Sequence, residues 1–217
     1  MGGRLLFNVW DDDLSGDEIV GSFTLNAKDI MGKKKGMMFW KNIYGAPLNG
    51  SGTHATNMNE NPDAASFWKG RILMQVDAYK CDKPVFKKQD VTPELIEVSR
   101  PYLIDKTYQI MVQVNSCVAL PEEEEEYEVM VRVADHEITT GRPPMVKHNY
   151  NRFNFRTTPP GSKDSNKEKD EQVIYKAPYE DVGDMGSVFV YLRHKTMLHG
   201  WTNICYLRLK ARDLTEK

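Results

Sequence analysis

An all-β fold is the expectation for this chain, and two observations carry it. Short runs in which apolar, β-branched and aromatic residues alternate with polar ones recur along the sequence, and helix-type periodicity is scarce. The alternation predicts strands near 4–10, 22–27, 69–79, 107–119, 127–134, 152–156, 172–176, 187–194 and 203–212. One short helix is predicted at 92–99, where Thr92 caps, Pro93 fits the first turn and Pro101 stops continuation. Residues 45–66, rich in Asn, Gly, Ser, Thr and Pro, read as a long loop, and 157–171 as a mobile one.

The bulk numbers agree with a folded chain. At 217 residues, 40% hydrophobic and 28% charged, it suits one large or two small globular domains with a real core. A net charge of −2 leaves no global basic field, so nucleic acid is not expected as a partner. The three cysteines, Cys81, Cys117 and Cys205, are odd in number and widely spaced, which reads as reduced core thiols in a cytosolic setting. No apolar run approaches the roughly 18–20 residues of a membrane span.

Near the amino end, an apolar strand runs through Val9 and Trp10 into Asp11, Asp12, Asp13, Asp17 and Glu18, and a second apolar run follows from Phe23. Five acidic side chains so close together either hold a cation or form a solvated turn. Hard cations such as calcium take oxygen ligands, and carboxylates alternating on an extended chain, Asp11 and Asp13, can point toward one ion. An EF-hand loop begun at Asp11 accepts Asp13, Ser15 and Gly16. It fails at Glu18, where an apolar residue belongs, and at Ser22, where a bidentate Glu belongs. Trp10, Asp11, Asp13, Asp17, Glu18, Ile19, Val20 and Gly21 instead resemble the third calcium-binding loop of a C2 domain: an aromatic, Asp-x-Asp, polar residues, an acidic pair, an apolar pair and Gly. The interval between Asp13 and the acidic pair is one residue shorter than usual, and Glu18 stands where a second Asp is common.

Downstream, Phe39-Trp40-Lys41-Asn42-Ile43-Tyr44-Gly45-Ala46-Pro47 and Trp68-Lys69-Gly70-Arg71-Ile72-Leu73-Met74 resemble two segments that follow an internal C2 domain in the ferlin family. The likeness covers about residues 5–76, and extends more loosely over 106–212 through Lys106 to Ile110, Tyr127 to Val131 and Val173 to Tyr191. The resemblance implies C2-like antiparallel β-sandwich elements and calcium-dependent phospholipid binding in membrane docking, fusion or repair. It also implies a peripheral position on the cytosolic side of membranes, beside neighbouring C2 domains of a larger, tail-anchored protein.

Residues 1–79 would then be the C-terminal part of a C2 domain, 80–105 a linker with the short helix, and 106–217 a β-sandwich domain. The N-terminal module would be incomplete, its first five strands lying upstream of Met1. Its orphan strands are expected to lean on the C-terminal block, because unpaired edges invite aggregation. The metal ligands implied are Asp11, Asp13, Asp17 and Glu18, with calcium held weakly because the companion acidic loop is missing; Asp12 alternates away.

Lys33, Lys34 and Lys35, followed by Met37, Met38, Phe39 and Trp40, have the composition of a contact with an anionic phospholipid surface. Three lysines there contribute about 3 kcal/mol, on the order of a hundredfold in partitioning, which needs calcium bridging or multivalency to matter. The other reading is a basic loop before a core strand. Glu122 to Glu126 lack the spacing of a calcium loop and read as a solvated segment. Phe39, Trp40, Tyr44, Trp68 and Trp201 read as packing residues.

Enzyme chemistry is not expected. The sequence holds no nucleophile elbow, phosphate-cradling loop, H-E-x-x-H or Cys-x-x-Cys, and His54, His136, His148, His194 and His199 are scattered. Two classes of function stay open: calcium-dependent phospholipid binding, and a calcium-independent structural spacer or interaction module within a larger multi-C2 protein.

Overall fold

The computed structural model describes residues 3–12, 16–31, 37–77, 82, 92–111, 116–120, 126–139, 145–147, 153–156, 172–179 and 182–215. The fold is all-β and antiparallel, and divides into two units. The first comprises Met1–Lys106 with Ala177–Met185, and the second Thr107–Lys176 with Gly186–Lys217. The segment 177–185 thus belongs with the first unit, so the domain expected over 106–217 is not continuous in sequence.

In the first unit, β1 (Arg4–Asp11), β2 (Glu18–Asn26), β3 (Met38–Gly45) and β4 (Phe67–Gln75) form an antiparallel meander. A five-residue helix, α1 (Ala27–Met31), follows β2. A second helix, α2 (Gly52–Glu60), lies between β3 and β4 and packs on β2 and β3, while α3 (Pro93–Ser99) comes after the sheet.

One sheet face carries the hydrophobic core. Phe23, Leu25, Ile30 and Phe39 are buried, with Phe7, Ile43, Met74 and Val76 packed against them. Phe7 and Phe23 are register partners and stack with ring centroids 4.9 Å apart. Burying a large apolar side chain fully stabilises by roughly 1.5–3 kcal/mol, so this cluster contributes substantially to the unit's cohesion.

Two expectations are corrected here. The strand β3 joins β2 to β4, so the amino-terminal strands are not orphans but neighbours in one sheet. Its run Met38-Phe39-Trp40-Lys41-Asn42-Ile43-Tyr44 does not alternate, because residues on both of its faces are covered. Nor is 45–66 a long loop: α2 forms despite weak helix formers, because Ala55 is buried and Asn59 Oδ1 accepts a hydrogen bond from the Ala46 amide at 2.8 Å. The helix α3 matches its expected span, with the Thr92 hydroxyl accepting from the Leu95 amide. Pro101 ends the α-helix, and the chain tightens into a 3₁₀ turn over Arg100–Leu103.

The second unit holds the remaining strands: β5 (Lys106–Met111), β6 (Ser116–Leu120), β7 (Glu126–Val133), β8 (His136–Thr139), β9 (Met145–Lys147), β10 (Phe153–Arg156), β11 (Gln172–Ala177), β12 (Val188–Thr196) and β13 (Gly200–Leu209). A short helix, α4 (Ala211–Thr215), ends the described chain. The strands pair as β13-β12-β7-β8, β6-β10-β9 and β11-β5. The single strand expected at 107–119 is therefore two strands in different sheets.

Val129, Met130, Val131, Val188, Phe189 and Tyr191 are all buried, so both faces of β7 and β12 are covered. One of those faces also buries charge. Arg193 stands opposite Glu128 in the β12–β7 register and pairs with it at 3.3 Å, with its guanidinium 5.6 Å from the Trp201 ring centre.

Candidate functional site

The acidic residues fall on a strand-to-strand connection. β1 and β2 form a hairpin whose last register pair is Asp11 opposite Glu18. Just below it the ladder is irregular: Val9 pairs with Gly21 and Trp10 with Ile19, which leaves Val20 unmatched. A bulge of this kind raises local twist and re-aims the side chains beyond it. Asp11, Asp12, Asp17 and Glu18 are all exposed, and Gly16 takes a left-handed φ of 122° with open space around it, so the backbone itself calls for glycine there.

Directly opposed side chains have Cβ atoms roughly 4.5–5.5 Å apart, and like charges in that position destabilise the pair. Between two carboxylates about 5 Å apart in water the repulsion is on the order of 0.8 kcal/mol. The hairpin closes in spite of that term, so a cation at its mouth would stabilise it. Among the described residues no three His, Cys, Asp or Glu side chains converge at metal-binding distances. Asp13 lies outside the described residues, as do Lys33, Lys34 and Lys35, Cys81, His148 and Glu122 to Glu125.

Lys69, a residue that no motif singles out, is a cation that the structure brings close to Glu18. β4 carries its own irregularity, Ile43 pairing with Gly70 and Tyr44 with Trp68, so that Lys69 is the unmatched residue. Its stem lies over the backbone of two glycines: a Cβ at Gly21 would stand 3.4 Å from Lys69 Cγ, and one at Gly45 would stand 3.1 Å from Lys69 Cε. Burial pulls the Lys69 ammonium below the usual lysine range, and the Glu18 carboxylate opposes that by favouring its charged form. The two glycines are required by close approach. A Cβ at Gly21 would be 2.9 Å from the Tyr44 carbonyl oxygen, and at Gly45 2.9 Å from that of Val20. The signal in the sequence was Gly21 and Gly45 together, which marks where strands and a helix crowd, but their partner is far along the chain.

Behind this end of the sheet a polar network crosses the strands. Asn42 Oδ1 accepts from Trp68 Nε1 at 2.9 Å and from the Tyr179 hydroxyl, and Asn42 Nδ2 donates to the Asp184 carbonyl at 3.0 Å. The Arg71 guanidinium lies 5.5 Å from the Trp40 ring centre and 5.7 Å from that of Tyr179, and Trp40 Nε1 donates to the Tyr102 carbonyl at 2.7 Å. Burial pushes the Tyr179 hydroxyl up to about 12, against the opposing pull of Arg71. Trp40, Tyr44 and Trp68 are thus packing residues of the sheet, as is the buried Phe39. Ser22 is fully buried, and its hydroxyl finds no hydrogen-bond partner among the described residues.

The cysteines differ from expectation. Cys205 is exposed on β13 rather than in a core, because β13 borders its sheet and pairs with β12 alone among the described strands. Cys117 is partly buried, and that burial raises its thiol above the ordinary range. Among the described residues no helix is long and apolar enough to cross a membrane. No protein-family model, curated protein or solved structure matches the chain.

Proposed function

We propose that this chain is a ferlin-like C2 fragment that contributes calcium-dependent phospholipid binding to membrane docking, fusion or repair. Asp11, Asp13, Asp17 and Glu18 supply carboxylate oxygens to calcium, and Lys33, Lys34 and Lys35 add attraction to anionic headgroups. The observation that carries the reading is the Asp11–Glu18 pair, two like charges set opposite each other where the hairpin opens into further acids. Calcium relieves that repulsion and keeps coordination sites open to lipid phosphate. With few protein ligands the affinity is low, so the parent protein's other C2 domains would add avidity.

A second reading has its own support. Glu18 already has Lys69 nearby to offset its charge without a metal ion, which suits a calcium-independent spacer or interaction module of a multi-C2 protein. Sedimentation with phosphatidylserine vesicles in millimolar calcium or in chelator separates them. A gain in binding on adding calcium that is lost in Asp11→Asn/Asp17→Asn supports the first reading. No gain in sedimentation on adding calcium, or a gain that survives those substitutions, supports the second.

A further inference from the structure

The hairpin β12–β13 turns through Met197, Leu198 and His199, and its first two residues are the most solvent-exposed large hydrophobic side chains described, at 106% and 88%. The turn is built to hold them out. Thr196 and Gly200 close the ladder, Gly200 takes the left-handed φ of 66° that suits the end of a three-residue hairpin loop, and the His199 amide donates to Thr196 Oγ1 at 3.1 Å. Opposite Lys195, one pair below the tip, stands Trp201, a residue type favoured at membrane–water boundaries.

We propose that the Met197–Leu198 tip inserts into the interfacial layer of a phospholipid bilayer without calcium. A protein partner fits less well, because a stable interface buries roughly 800 Å² on each side and two side chains on a convex turn are a small part of that. A bilayer needs no matching surface and accepts apolar groups in proportion to their area. The flanking cations are already engaged, Lys195 with Glu126 at 3.7 Å and Arg193 with Glu128 at 3.3 Å. Insertion therefore depends on apolar contact and only weakly on anionic lipid or salt.

The inference deepens the phospholipid reading, and calcium separates the two in the test. Sedimentation with pure phosphatidylcholine vesicles in chelator should bind the wild-type chain, and Met197→Ser/Leu198→Ser should lower the bound fraction about fivefold or more. Because both residues are largely exposed, circular dichroism and melting temperature of that variant should be unchanged. A Leu198→Trp variant should show an emission blue shift on adding the same vesicles. Failure of the wild-type chain to bind in chelator, equal binding by the double variant, or no blue shift overturns the insertion. Binding seen only with calcium and phosphatidylserine, and surviving the double substitution, overturns it too while leaving the acidic-hairpin reading intact.

Discussion

Tyr179 donates its hydroxyl to Asn42, a residue 137 positions earlier in the chain. That bond, with the one from Asn42 to the Asp184 carbonyl, ties the segment 177–185 to the first sheet. Asn42→Ala would remove the hydrogen bonds that Asn42 makes with Tyr179, Trp68 and Asp184. Each lost hydrogen bond costs about 0.5–1.5 kcal/mol net, so the three together should cost about 2 kcal/mol or more. Urea unfolding measures it, and limited proteolysis should begin to cut within 177–185.

Glu128 and Arg193 form a cross-strand ion pair that is largely shielded from water. Glu128→Ala leaves the guanidinium without its carboxylate and should destabilise the second unit by about 3–5 kcal/mol, whereas replacing both partners by apolar residues should cost much less. A double-mutant cycle in urea tests the difference.

Stability should also fall at alkaline pH. Burial raises both Tyr179 and Tyr191 to about 12, above the ordinary value of 10.0. Between those values the folded state holds protons that the unfolded chain releases, so the stabilisation is complete below pH 10 and is lost as pH rises toward 12. Urea midpoints measured across that window should drop, and Tyr179→Phe and Tyr191→Phe should each flatten the fall.

At the hairpin mouth the sign is opposite to that of an ordinary loss of contact. Asp11→Asn removes one of two facing like charges and should stabilise the calcium-free protein by about 0.2–1 kcal/mol. Glu18→Gln should gain less, because it also removes the carboxylate beside Lys69. Thermal melts in chelator compare the two variants.

Local patterns made much of the fold legible. Alternation located β1, β7 and β12, the Thr92 cap with Pro93 and Pro101 located α3, and the acidic run was readable as a connection between strands, which is where it lies. What stayed hidden depends on distant partners. β3 does not alternate because both its faces are covered, and α2 is a helix of Thr, Asn and Gly held by packing and by Asn59 rather than by propensity. Tyr179 and Lys69 are meaningful only once Asn42 and Glu18 stand beside them, and nothing in the spacing of those residues announces it.

The most direct measurement is a calcium titration followed by backbone amide shifts of the isotopically labelled chain. Saturable shifts clustered at residues 11–18, absent in Asp11→Asn/Asp17→Asn, are the predicted result. Amides at 11–18 that stay unmoved through millimolar calcium, or that shift equally in the variant, would contradict the account.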